Sequence, residues 1–315
     1  MSELTMKQFE QEFVRLCGEG AYAEAYALAT REAGRFPEWA QGSYYNWRMC
    51  TACLMGESAL ALRIFEEALA AGHWYDEVGL REDTDLAALQ ELPEFERLVA
   101  ISLERREQAL AQAKPILQTF EPEGRPQPYP LLLALHGNHS NLAESAHYWR
   151  LAVEHGWLVA APQSSQLMGR GTYGWNDRDW AAREIEQHLA AVHEQYAIDP
   201  ARFIVAGFSM GGGRAAWLAL SGMLPARGFI GVNAYLSELG SLIPMMEARR
   251  GRGLRAYLVA SQRDEACYMI AQKLSALLPA HGIQCALELH PDLGHDFPPE
   301  FERSLITALD FVLQD

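Results

Sequence analysis

The chain has 315 residues, with 26 Lys plus Arg against 41 Asp plus Glu and a formal charge of -15. Such an excess of carboxylates repels phosphate backbones, which excludes nucleic acid as a partner, and no apolar run approaches the roughly 20 residues of a membrane span. Residues 1–10 lack the charged-then-apolar plan of a signal peptide, and five cysteines, an odd number, suit reduced thiols better than a disulfide framework. Both features predict a cytoplasmic protein.

Residues 1–113 predict a helical domain. The stretches 20–28 and 56–64 align at an offset of 36 residues, close to the period of roughly 34 that marks tetratricopeptide helix pairs. Ala25 and Ala61 fall where paired helices approach most closely, Phe36-Pro37 closes the first unit, and 83–89 with 93–98 read as a trailing segment. So few repeats cannot bury their own apolar faces, so this domain must pack on the rest of the chain or on a second subunit. A structural cap that shapes or shields an active site is the favoured role. A groove for a protein partner, or a homo-oligomer contact, is the other reading. Cys50-Thr51-Ala52-Cys53 has redox-motif spacing but lies in a helical repeat, where packing is its expected task.

From residue 114 to 315, apolar strand-like runs alternate with amphipathic helical stretches, the pattern of a mostly parallel sheet with helices on both faces. Strands are expected near 115–120, 131–135, 157–161, 202–206, 228–232, 254–260 and 285–289. The proline-rich connection 121–130 suits a turn rather than a crossover helix, so the first two strands are expected to pair antiparallel.

The motif of greatest weight is Gly207-Phe208-Ser209-Met210-Gly211, set between an apolar strand run and the helix-compatible run 215–220. A serine hydroxyl is a poor nucleophile at neutral pH and needs both a base within reach and an exposed oxygen. A strand-turn-helix corner exposes it, and glycines two positions either side let the crossing backbones pass. Downstream, Asp264 follows the run 254–260, and His295 lies in the punctuated loop His290-Pro291-Asp292-Leu293-Gly294-His295-Asp296-Phe297. Asp264 is the candidate acid and His295 the candidate base. Glu265, Asp292 and Asp296 are rival acids, Asp264 could simply cap a helix, and His290 is the rival base. His136, His139 and His147 do not complete a metal-ligand set, so no metal is expected.

Chain order (nucleophile, acid, histidine), the elbow itself, Trp175-Asn176-Asp177 before a helix, and the phrase 196–202 leading into the elbow strand give a likeness to a known family. Residues from about 114 to 315 resemble the α/β-hydrolase superfamily, and within it the phospholipase/carboxylesterase and dienelactone-hydrolase-like group. The run 130–135 ending in His136-Gly137-Asn138 resembles the His-Gly motif that follows the third strand there, which puts the oxyanion-binding N–H groups on Asn138 and Met210. His136 itself would fix the turn. The resemblance implies hydrolysis of a carboxylic ester or thioester through an acyl-enzyme, with a small-molecule substrate and no cofactor. A peptidase of the same chemistry, or a non-catalytic interaction protein, remains as the alternative. Ligands of open α/β sheets bind at the carboxyl ends of the strands, which makes Tyr173, Trp175, Tyr235 and Phe297 candidates for an aromatic pocket. Two departures stand out: the late start of the core, and the polar loop Asn138-His139-Ser140-Asn141 where a small or apolar one is usual.

Overall fold

The computed structural model describes residues 4–314. They form two compact units, one comprising the chain up to Ala113 together with Leu167–Thr172, the other Lys114–Gln166 and the chain from Tyr173 onward.

The first unit carries α1 (Met6–Gly18), α2 (Tyr22–Glu32), α3 (Glu38–Leu54), α4 (Ser58–Ala70), α5 (Glu77–Glu82) and α6 (Pro93–Gln112). A reciprocal cap starts α1: Gln8 N–H donates to the Thr5 hydroxyl at 3.2 Å, and Thr5 N–H to the Gln8 side chain at 3.0 Å. The pairs α1–α2 and α3–α4 are helix hairpins turning at Gly20 and Gly56, and five residues beyond each turn sits a fully buried alanine, Ala25 or Ala61. The small side chain lets the paired helices close up. Phe9, Phe13, Phe36, Tyr44 and Trp47 interlock beside the first hairpin, with Phe13 and Trp47 stacked at 4.4 Å between ring centroids. Within the same unit, Arg170 donates to the Ala71 carbonyl at 2.6 Å and pairs with Glu38 at 2.5 Å.

From Lys114 the elements run β1 (Ile116–Phe120), β2 (Tyr129–Leu135), α7 (Leu142–Trp149), β3 (Leu158–Gln163), β4 (Leu167–Gly169), β5 (Thr172–Tyr173), α8 (Arg178–Gln195), β6 (Ile198–Phe208), α9 (Met210–Ser221), β7 (Gly228–Val232), α10 (Ile243–Arg249), β8 (Arg255–Ser261), α11 (Glu265–Ala280), β9 (Gln284–His290) and α12 (Phe301–Leu313). Seven strands form one sheet in the order β1-β3-β2-β6-β7-β8-β9, parallel except for β1, and β4 pairs with β5 apart from it.

The seven expected runs all lie on these seven strands, but the partner expected for β1 was wrong. β1 does run antiparallel, yet against β3 (Ile116 opposite Gln163), not β2. Every residue of β2 is buried, so the backbone N–H and C=O groups along both its edges need partners, and β3 and β6 supply them. Two strand spacings are about 10 Å, which the proline-rich connection spans easily.

Strand periodicity divides the core in two. Leu131, Leu133, Leu135, Val205, Phe229 and Leu258 face helices α8 to α11, while Leu132, Ala134, Ile204, Ala206, Ile230 and Val259 face α7 and α12. Each fully buried aliphatic side chain contributes about 1.5–3 kcal/mol, so both faces hold the sheet firmly and leave its carboxyl edge to carry loops. No helix among the described residues is long and apolar enough to cross a membrane.

Candidate active site

Ser209 occupies the single residue between β6 and α9, with φ 54° and ψ -123°. A non-glycine residue there is strained by about 1–3 kcal/mol and persists only where its surroundings fix it. They do so here. Ser209 N–H donates to the Val232 carbonyl at 2.9 Å, and its own carbonyl accepts from Gly213 N–H at 3.1 Å and Tyr235 N–H at 2.9 Å. A Cβ on Gly207 would run into the Gly211 carbonyl and lie 2.6 Å from Gly212 N. One on Gly211 would overlap the His136 carbonyl oxygen and lie 2.6 Å from that of Leu135. Both glycines are thus required by backbone-on-backbone packing at the corner.

Asp264, three residues past β8, caps α11, its Oδ1 accepting from Cys267 N–H at 3.3 Å. Its Oδ2 lies 2.5 Å from Nδ1 of His295, in the loop between β9 and α12. Capping and pairing are therefore simultaneous, one oxygen for each. Burial alone would push the Asp264 carboxyl up, but the hydrogen bonds from His295 and Cys267 outweigh it and hold the pKa below the usual carboxylate value. A carboxylate on Nδ1 keeps the proton there and leaves Nε2 with its lone pair. The imidazole rests against Phe208, the neighbour of Ser209, at 4.8 Å between centroids, and Phe208 stacks on Phe297 at 4.6 Å. The rivals go elsewhere: Asp292 pairs with Arg263 at 2.8 Å, Glu265 opens α11, Asp296 Oδ1 accepts from Phe297 N–H at 2.7 Å, and His290 lies 2.7 Å from Glu288.

The turn after β2 runs against the serine. A Cβ on Gly137 would lie 3.5 Å from that of Ser209, and Asn138 follows directly. Met210 is the first residue of α9, so its N–H belongs to the unpaired first turn of that helix, where anions are favoured. The Asn138 Oδ1 is buried without a hydrogen-bond partner among the described residues.

The four aromatic candidates separate into two pairs. Tyr235 is 39% exposed, and its backbone is bonded to Ser209. Tyr173 pairs with Ser140 of the turn after β2, its N–H donating to the Ser140 carbonyl at 2.8 Å. Trp175 and Phe297 are corrections. Trp175 is fully buried, its indole N–H donating to the His136 carbonyl at 3.0 Å, while Phe297 is packed between Tyr148 at 3.8 Å and Phe208. Both serve as supports beneath the loops.

A polar residue of the loop after β7, where the sequence suggests only pocket lining, joins the site together. Asn233, fully buried and at φ 43° just past β7, donates from its amide to the Asp296 carbonyl at 2.8 Å and accepts from Ser261 N–H at 2.9 Å. It bonds the loop of His295 to the end of the strand that leads to Asp264. The only signal in the chain is a polar residue directly after an apolar run.

His136 is fully buried, lies 2.6 Å from the Gly137 carbonyl through Nδ1 and accepts from Ser164 N–H at 3.3 Å through Nε2. Burial holds its pKa down to about 4 against an ordinary 6.5. Above the ordinary value the ring is neutral whether folded or unfolded and has no effect on stability. Between the two values only the unfolded chain protonates, so stability falls with pH, by up to about 3 kcal/mol. Urea midpoints at about pH 7.5 and about pH 4.5 should register this fall. His136→Gln should remove most of it; His188, likewise lowered by burial, contributes a slope that persists.

Residues 5–110 match the family model of an "A/B hydrolase-like, N-terminal domain". No curated protein matches the chain in sequence. Among solved structures, an uncharacterized protein from Bacillus cereus ATCC 10987 is 24% identical over 98% of this chain and 99% of its own, with a TM-score of 0.56. Esterase PE8 is 18% identical over 63% of this chain and 99% of its own, at a TM-score of 0.53. Acyl-protein thioesterase 2 of Zea mays is 18% identical over the same shares, at 0.51. The fold is an α/β-hydrolase fold preceded by a helical region.

Proposed function

We propose that this protein is a serine hydrolase that cleaves a carboxylic ester or thioester through an acyl-enzyme on Ser209, with 114–315 as its catalytic domain and 1–113 as a helical domain. The observation that carries the reading is the 2.5 Å Asp264–His295 pair, set against the neighbour of a serine in a strained strand-to-helix corner. Esterase PE8 and the thioesterase share the fold, and the chemistry rests on the residues rather than on that likeness.

In the first step Ser209 Oγ attacks the acyl carbon while His295 Nε2 takes its proton. The Asp264 carboxylate, already on Nδ1–H, stabilises the imidazolium that forms. The carbonyl oxygen, now bearing the charge, accepts hydrogen bonds from the N–H groups of Asn138 and Met210. Collapse expels the alcohol or thiol, which collects the proton from Nε2. Water then repeats the sequence on the acyl-enzyme and frees the acid. Tyr173, bonded to the turn after β2, and Tyr235, bonded to Ser209, are the residues assigned to the substrate's path.

A fluorophosphonate should label the protein once, and peptide mapping should place the label on Ser209. Hydrolysis of p-nitrophenyl esters of graded chain length, alongside matched thioesters, then defines the acyl group. An unlabelled Ser209 in a protein with an intact circular-dichroism spectrum overturns the reading.

A further inference from the structure

A third side chain converges on the acid-base pair. Cys267 Sγ lies 3.8 Å from His295 Nδ1, and the three ligand atoms of Asp264, Cys267 and His295 all fall within 4.8 Å of one another. Asp264 caps α11 and Cys267 stands three residues on, so the first helical turn presents carboxylate and thiol side by side, and the loop after β9 brings the imidazole over both. Carboxylate, thiol and imidazole are the donor types that zinc takes in sites with three protein ligands and an open fourth position. The His295 side chain is 44% exposed, which supplies an entry for the ion.

We propose that Asp264, Cys267 and His295 form an inhibitory binding site for a divalent cation of the zinc type, which silences the hydrolase by capturing its histidine; this rests on the triad reading above. A tetrahedral ion with these ligands separates sulfur from nitrogen by about 3.6 Å and nitrogen from oxygen by about 3.4 Å. The first separation already exists at 3.8 Å. The second requires the carboxylate to retreat by about 1 Å from its 2.5 Å contact with the imidazole, so metal binding and the acid-base hydrogen bond exclude each other. The proton balance completes the switch. The thiol releases its proton to solvent, and the imidazole proton moves from Nδ1 to Nε2 as Nδ1 takes the metal. His295 then presents N–H to Ser209 and cannot accept its proton. Thiolate and carboxylate together neutralise the two charges of the ion.

Cobalt(II) reports thiolate ligation directly by a charge-transfer band, and does so without any turnover. The band is expected in the wild-type protein and in Ser209→Ala, to be displaced by zinc, and to vanish in Cys267→Ala. It should persist in Cys50→Ala, which removes the other metal-like cluster among the described residues, that of Cys50, Asp83 and Asp85, and in Cys285→Ala. Zinc should inhibit p-nitrophenyl acetate hydrolysis over the concentration range that displaces cobalt, and Cys267→Ala should raise the inhibitory concentration at least about tenfold, the least that disturbing a metal's ligand shell costs. Absence of the band, its survival in Cys267→Ala, or its loss in Cys50→Ala overturns the site. Zinc that displaces cobalt yet leaves hydrolysis intact overturns the inhibition. A wild-type protein inert toward every ester tested refutes the hydrolase reading separately, since the cobalt spectrum is read on the protein alone.

Discussion

Ser209→Ala is expected to lower kcat on a p-nitrophenyl ester by about 10⁴- to 10⁶-fold while leaving KM within about threefold, because the hydroxyl acts only once the acyl carbon is bound. The groups that follow the attack act as a unit, so His295→Ala should cost a comparable factor and the double variant little more than either. Additive losses in the double variant would separate the two residues mechanistically. Retention of a tenth of wild-type turnover in Ser209→Ala would remove the serine from the reaction. Stability should move the other way. At φ 54° and ψ -123°, a glycine in place of Ser209 relieves the strain of a side chain, so Ser209→Gly should be more stable by roughly 1–2 kcal/mol in urea while being as inactive as the alanine variant. A nucleophile whose removal stabilises the protein is the signature expected of a strained functional corner.

Gly211→Ala carries the second large expectation. By helix propensity alone, alanine within α9 should gain about 1 kcal/mol. Here the added methyl meets the His136 carbonyl oxygen and the Leu135 carbonyl group, both backbone atoms of a central strand and its turn. Neither can rotate away. Helix and sheet must separate, at an expected cost of about 3 kcal/mol or more, and Ser209 moves with the helix that begins beside it. The urea midpoint should fall well below that of the wild type, and any folded protein should lose fluorophosphonate labelling. A neutral or stabilising effect would mean that the corner relaxes more easily than its packing indicates. Gly56→Ala offers a contrast: its φ is 80°, but a Cβ there meets nothing within 4 Å, so only the conformational strain remains, about 1 kcal/mol.

The features that could be read from the chain are those whose causes are local. Gly207 and Gly211 announce the corner because two backbones crossing in one plane leave no room for a side chain, whatever the rest of the fold does. The inner strands β2, β3, β7 and β8 appear as largely apolar runs because both faces of each are covered. Asp264 and His295 are singled out by their order and by the loops that hold them, and the structure brings their side chains to 2.5 Å. Nonlocal matters were less legible. Nothing in 115–120 says that its neighbour is β3, since sheet order is decided by which strand needs two partners. Trp175 and Phe297 have the composition of pocket residues, and only packing distinguishes a buried support from an exposed wall. Asn233 is a lone polar residue whose three partners, in Val259, Ser261 and Asp296, come from two later segments.

That last residue constrains how the loops around the proposed site can be re-engineered. With one amide holding the peptide backbones of 261 and 296 in register, the turn after β8 and the turn after β9 behave as a single casting rather than two exchangeable parts. Loop grafting or shuffling that replaces either one alone inherits a mismatch at position 233. Transplanting both together with their asparagine should preserve the register that either graft alone loses.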